Sequence, residues 1–338
     1  MTAVAPLLQQ SSTNPQRRTW RDVLAVKELG IFVLLVVLCL FVLYKNPAFG
    51  ERENVRDVAE LVGMYGIFSI GQGIVIITGG IDLSMGSMFA LLGVILSIML
   101  GPWKWNWESA VLGTIGLGAL LGALHGFLIT KVRLQPFIVT LCGLLIYRGL
   151  ARFIASDATM GFGQVRDINT FHYLFTGNFY GVPKSFVCLV IVAAIMWVVL
   201  HRTSFGRYLY AVGRNEDATR YSGINTNGVI AGTYIIAGTL TGIAAMYIAF
   251  YVNSVSPSTH GNFYELYAVA AAVLGGCSLR GGEGSIVGII LGTILLRVLS
   301  NLVILLGIDS SLDFAVMGGV ILIGVIADRL LTSRRSVR

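Results

Sequence analysis

The stretch Ile77–Ser87, ITGGIDLSMGS, places two glycines, a carboxylate and a serine between two strongly apolar runs. An aspartate held at the centre of a bilayer helix costs about 2.5 to 3.5 kcal/mol even on lenient insertion scales. Either Asp82 lies at a membrane surface, or the helix breaks there. Two glycines permit the turn. Asp82 and Ser84 can both accept hydrogen bonds from backbone N–H groups, and so cap a helix that starts near Met85. An acidic cap also complements the positive end of that helix.

Other groups able to do chemistry inside the apolar runs are few. Glu265 follows Tyr264 at the start of one run, Thr140 and Tyr147 lie seven apart in another, and Arg297 stands one turn before Asn301. None is surrounded by the relay of ionisable groups that ion-coupled carriers keep at their midplane. No Gly-x-x-x-x-Gly-Lys-Ser/Thr loop, His-Glu-x-x-His or Gly-x-Ser-x-Gly occurs, so neither a nucleotide site nor a familiar hydrolase motif is indicated. The four histidines are scattered and read as surface or interface residues. The four cysteines form no metal or disulfide pattern, and no metal site is expected.

Elements that could position such groups must be membrane helices. Of 338 residues, 55% are hydrophobic and 12% charged, against about 25% charged in an average soluble protein. Mean hydropathy is +0.79. The net charge of +7 reads as arginine in cytoplasmic loops rather than as a nucleic-acid surface, because no cationic tract alternates with aromatics.

A spanning helix needs about 20 apolar residues. Ten spans are expected, at 29–44, 61–78, 86–101, 109–130, 137–155, 185–200, 228–250, 264–278, 285–307 and 312–331. The fold class is therefore all-α and polytopic. A transmembrane domain over 29–331 is flanked by cytoplasmic segments 1–28 and 332–338. Most of the 24 Lys and Arg then fall on inner segments, among them Lys131, Arg133, Arg202, Arg207, Arg214 and Arg220, while Arg148 and Arg152 are assigned outside. Trp103, Trp105 and Trp107 suit an outer interfacial belt.

An internal echo links GGIDLSMG at 79–86 with GGCSLRGG at 275–282. Gly118, Gly122 and Gly126 make one four-residue ladder, and Gly284, Gly288 and Gly292 another. Such ladders bring helix backbones close. Spans 1–4 and 7–10 are read as parallel repeats. The longest inner loop, 201–227, mixes charge with short apolar stretches, which a bare connector would not need.

Four blocks carry a resemblance: TGGIDLSMGS (78–87), PFIVTLCGLLIYRGLA (136–151), FGRYLYAVGRNEDATRYSGI (205–224) and YELYAVAAAVLGGCSLRGGEGSIVG (264–288). The chain resembles membrane permeases of ribose/xylose/arabinose/galactose-type ABC importers, in the superfamily that includes branched-chain amino-acid permeases. The resemblance covers about 29–331. It implies a bacterial inner-membrane subunit that works as a dimer with a second permease chain and carries no cofactor. ATP and Mg would be bound by a separate ATP-binding subunit, a duplicated-domain ATPase. A periplasmic or extracellular sugar-binding protein would dock outside.

On that resemblance Gly213, Arg214, Asn215, Glu216 and Ala218 would contact the ATPase through a coupling helix. Asp82, Ser84, Thr140, Tyr147, Tyr264 and Glu265 would line a sugar pathway. The chain departs from the family pattern at His125 (asparagine there), Arg214 (glycine), Thr219 (alanine) and Tyr267 (aspartate). A branched-chain amino-acid permease and an ion-coupled transporter are the alternatives. A membrane enzyme has less support.

Overall fold

The computed structural model describes residues 27–162, 168–309, 312–319 and 322. Its helices are α1 (Lys27–Lys45), α2 (Arg52–Ile77), α3 (Met85–Leu100), α4 (Trp107–Thr130), α5 (Pro136–Ile154), α6 (Ile168–Phe175), α7 (Lys184–Arg202), α8 (Ser204–Arg214), α9 (Glu216–Tyr221), α10 (Thr226–Val252), α11 (Tyr264–Leu274) and α12 (Ile286–Leu305). Among the described residues, α1, α2, α4, α5, α7, α10 and α12 are long and apolar enough to cross a bilayer; α3 and α11 are apolar but shorter. These nine occupy the places of the first nine expected spans. The tenth, 312–331, and the terminal segments 1–26 and 332–338 lie mostly or wholly outside the described residues.

Helix α2 is central because three of its faces are small. At Gly63 an added Cβ would overlap the Ser185 backbone of α7. At Gly71 it would come within 3.1 Å of Ala237 Cα on α10, and at Gly73 it would meet Ile289 of α12. Backbones this close gain the dispersion contacts that hold helices together where lipid offers no hydrophobic drive. Helix α1 differs: Phe32, Val37 and Leu40 are half exposed or more, as expected of a lipid-facing helix.

The first glycine ladder works as expected. Gly118 lies on the Gly238 carbonyl and Gly122 on the Tyr234 carbonyl, while a Cβ added at Gly126 would come within 2.8 Å of Ala231 Cα, all on α10. The second is corrected in part. Gly288 and Gly292 pack on Gly275 and Ala271, but Gly284 precedes α12 in the connecting segment, at φ +154, against Ile77 and Cys277.

Helices α3 and α11 are about 24 and 16 Å long at 1.5 Å per residue, short of the roughly 30 Å apolar core. Their amino ends meet near the middle of α2: the Phe68 ring is 4.9 Å from Phe89 of α3 and 6.1 Å from Tyr264 of α11. Gly86 and Gly261 are in backbone contact, and a side chain on either would overlap the other strand of chain. Residues 78–84 and 253–263 are therefore non-helical entries that lead from the ends of α2 and α10 into the body of the protein. A two-stranded pairing, Met160↔Val255 and Gly161↔Ser254, ties the second entry to the chain after α5.

Gly122→Ala puts a methyl against a carbonyl that cannot yield, and overpacking of this kind costs about 1–3 kcal/mol. Gly116, on the same helix, has nothing within 4 Å of its Cβ position. In detergent, Gly122→Ala is expected to lower the melting temperature and Gly116→Ala to leave it unchanged or raise it; equal melting of the two variants would contradict the packing.

Candidate functional site

Asp82 sits in the first entry with 1% of its surface exposed. Its Oδ1 accepts from Ser84 N–H at 2.8 Å and from Ser84 Oγ at 2.6 Å. This is a local side-chain turn. It corrects the expected cap: Ser84 is the N-cap residue of α3 by position, but its hydroxyl donates to Asp82 and caps nothing. The first backbone bond of the helix is Met88 N–H to Ser84 C=O at 2.8 Å.

The polar backbone of this segment is closed off by side chains from neighbouring helices. With its amide oriented to suit its partners, Gln72 of α2 donates to Asp82 C=O and accepts from Asp82 N–H, both at 3.2 Å. Thr140 of α5 donates to Ile81 C=O at 3.1 Å. His125 of α4 faces the carboxylate, with Nδ1 3.6 Å from Asp82 Oδ2, and its Nε2 is 2.8 Å from the Tyr147 hydroxyl of α5. His125 is 1% exposed, so of its two expected places, surface or interface, it takes an interface, bridging α5 to the break. The room for the ring comes from Gly143, whose Cβ position is 2.7 Å from His125 Nε2.

Asp82, Ser84, Thr140 and Tyr147 thus form one buried cluster, contributed by the first entry and α5. The second entry has its own clasp. Arg148 of α5 donates to Pro257 C=O at 3.0 Å and His260 C=O at 2.7 Å. Arg148 is half-buried in this clasp, while Arg152 is exposed and pairs with Asp157 at 2.7 Å. Glu265 is 8% exposed, and its carboxylate lies over Gly86 at the start of α3.

Arg297 faces inward. Its guanidinium is 3.4 Å from the centre of the Tyr65 ring and 4.2 Å from that of Tyr267. Cation–π contact of this kind is worth about 2 kcal/mol or more when desolvated. Where the family resemblance implies an aspartate, Tyr267 supplies a ring face instead. Tyr264 completes the group, 4.9 Å from Tyr65.

The proposed coupling residues divide by exposure. Arg214, Asn215 and Ala218 are exposed, Glu216 is half-buried and paired with Arg220, and Asn215 Oδ1 caps α9 through Ala218 N–H at 2.9 Å. Gly213 points the other way: a Cβ there would overlap Ile77 C=O and come within 2.5 Å of Gly282 N. Tyr210 of α8 also donates to Gly284 C=O at 2.7 Å. The second echoing glycine segment meets the end of α2 here, through Gly282 N–H on Ile77 C=O at 2.8 Å. Sequence reasoning missed Gln72 and this contact. A lone glutamine inside IGQGIV was a readable signal for the first; the second has none in one chain.

A family model described as branched-chain amino acid transport system / permease component matches residues 54–325. The chain is 36% identical over 312 residues to the ribose import permease protein of Escherichia coli (strain K12), covering 92% of this chain and 96% of that one. It is 38% identical over 305 residues to the ribose import permease protein of Bacillus subtilis (strain 168), covering 90% and 93%. It is 30% identical over 301 residues to the D-allose transport system permease protein of Escherichia coli (strain K12), covering 89% and 91%. No solved structure matches the chain.

Asp82→Ala strips the partner from Ser84 N–H and from His125, and an unsatisfied buried group costs about 1–3 kcal/mol. Tyr147→Phe removes one hydrogen bond, about 0.5–1.5 kcal/mol. Asp82→Ala is expected to lower the melting temperature in detergent more than Tyr147→Phe does. A double variant with Tyr147→Phe should lose less than the sum, since both act through His125; strict additivity would contradict the relay of contacts.

Proposed function

The chain belongs to the family of branched-chain amino acid transport system permease components, and from that membership we propose that it is the membrane-spanning subunit of an ATP-binding-cassette importer for a monosaccharide or similar small polyhydroxylated solute. Relatives named for ribose and D-allose import, alike over nine-tenths of their length, support the solute class. The chain does not hydrolyse ATP. A separate, duplicated-domain ATPase binds ATP and Mg beneath it, a periplasmic or extracellular sugar-binding protein delivers solute from above, and a second permease chain completes the pathway. The subunit has ten spans with both termini in the cytoplasm of a bacterium and lies in its inner membrane.

One observation carries the mechanism: Gly213, inside the proposed coupling element, is seated on Ile77 C=O and the Gly282 amide. A motor bound to the exposed Arg214, Asn215 and Ala218 would push on α8 and α9. Gly213 has no side chain to absorb the movement, and it touches the end of α2 and the segment after α11 together. The end of α2, which leads into the first entry, and the segment after α11 then shift as one body. Interfaces packed this closely change by discrete steps rather than by continuous yielding.

Asp82, Ser84, Thr140 and Tyr147 hold the first entry in shape, and Tyr264 and Glu265 hold the junction of the two half-helices. When that junction parts, these hydroxyls and carboxylates face the route, where they bond solute hydroxyls in passing. Affinity stays weak, because a tight site would slow release.

The test is reconstitution of the complete transporter. Arg214→Glu with Glu216→Arg is expected to lower solute uptake by about tenfold or more while ATP hydrolysis continues, the size of an ordinary coupling energy. Unchanged uptake by the double variant would contradict the docking surface. Uptake of leucine in place of any sugar would shift the solute class to branched-chain amino acids.

A further inference from the structure

A cavity of about 410 Å³ opens between the first entry, the turn joining α4 to α5, α9 and the start of α10. Its size falls in the range of small-molecule pockets, about 300–1,000 Å³. Thr78, Gly80, Gln135, Asn227 and Tyr234 contribute to its wall, and Glu216 and Arg220 close the side formed by α9.

Tyr234 is the informative group. It is 1% exposed, its hydroxyl has no hydrogen-bond partner in the protein, and it borders the cavity. A buried hydroxyl left unpaired costs about 1–3 kcal/mol, so one that persists at a cavity wall is suited to a partner that comes and goes. Gly80 makes the opening: its Cβ position is 2.6 Å from the Tyr234 hydroxyl, so any larger residue would cover it. Thr78 Oγ1 donates to Val75 C=O at 2.7 Å and keeps its lone pairs for an incoming donor. Gln135 and Asn227 offer amides that both donate and accept.

The wall also discriminates by charge. Its one carboxylate, Glu216, is held by Arg220 and the Thr226 hydroxyl, so no free carboxylate remains to bind an ammonium group. Its cations are Arg220, paired with Glu216, and Arg133, and the rest of the polar lining is neutral donors and acceptors suited to hydroxyls.

We infer that this cavity is a cytoplasmic exit subsite for a neutral polyhydroxylated solute, with the coupling helix α9 as a movable wall. The inference rests on the import reading above and deepens it. Because Glu216 and Arg220 belong to α9, displacement of that helix reshapes the subsite directly, and release is timed by the same movement that shifts Gly213. Tyr234 donates to a solute hydroxyl, and Thr78, Gln135 and Asn227 complete the contacts.

The test is protection from thiol labelling in the assembled, reconstituted transporter. Asn227→Cys and Gln135→Cys place reporters on the wall, and Ser222→Cys is an exposed control on the turn after α9, outside the cavity lining. A membrane-impermeant maleimide is applied from the cytoplasmic side with D-ribose, D-allose or D-fructose, and labelling of the chain without an added cysteine is subtracted. At ten times its half-protecting concentration, at least one sugar is expected to slow both reporters by about tenfold and leave the control unchanged. Adding Tyr234→Phe should raise the half-protecting concentration by about 2- to 12-fold, the worth of one neutral hydrogen bond.

Protection by none of the three sugars, equal slowing of the control, or indifference to Tyr234→Phe each overturns the subsite. ATP-driven uptake is measured in the same vesicles and decides the import reading separately: uptake without protection removes only the subsite, and protection without uptake removes only the import.

Discussion

Backbone amides cannot be left bare inside a bilayer, where each unsatisfied group costs several kcal/mol. That constraint governs every unusual residue in this chain. Residues 78–84 and 253–263 leave the helical state in the body of the protein, and each exposed carbonyl or N–H there needs a partner from elsewhere. Gln72 closes both backbone groups of Asp82, Asp82 closes the N–H of Ser84, and Thr140 takes the carbonyl of Ile81. Arg148 takes two carbonyls of the second entry. Other buried hydroxyls, such as those of Thr114, Thr233, Thr241 and Thr293, bond a carbonyl of their own helix instead.

A scaffold satisfied in this way is tight but divisible. The amino ends of α3 and α11 share one junction, joined by backbone contact at Gly86 and Gly261, by the Glu265 carboxylate over Gly86 and by the ring cluster of Phe68, Phe89 and Tyr264. The end of α2 and the segment after α11 share a hydrogen bond, Gly282 N–H to Ile77 C=O, and share Gly213 as a neighbour. A displacement of α8 therefore reaches the junction through short, rigid paths. Arg297, clamped between Tyr65 and Tyr267, supplies a fixed point on the far side of α2.

Much of this was legible beforehand. Apolar run length gave nine helices nearly in place, and the GGIDLSMG and GGCSLRGG echo located the first entry and the segment that meets the end of α2 through Gly282. Asp82 was correctly read as a residue that organises a break. Its mode was not, because a carboxylate can bond the next residues of its own turn or the amides of the following helix, and sequence does not separate the two. Where His125 would pack was not legible for a related reason: its burial depends on Gly143 of another helix leaving room for the ring. Gly284 belonged to its ladder by spacing alone, and spacing does not tell where α12 begins. Gly213 was assigned to docking with Arg214, Asn215, Glu216 and Ala218 from the family resemblance alone. Its own direction is set by tertiary contact.

The account's central claim is that this chain is a gate with no engine of its own. Purified and reconstituted alone in vesicles with an imposed proton or sodium gradient, it should accumulate no ribose, allose or fructose, and accumulation should begin only when the ATPase subunit, ATP and the solute-binding protein are supplied. Concentrative uptake by the chain alone would contradict the claim outright.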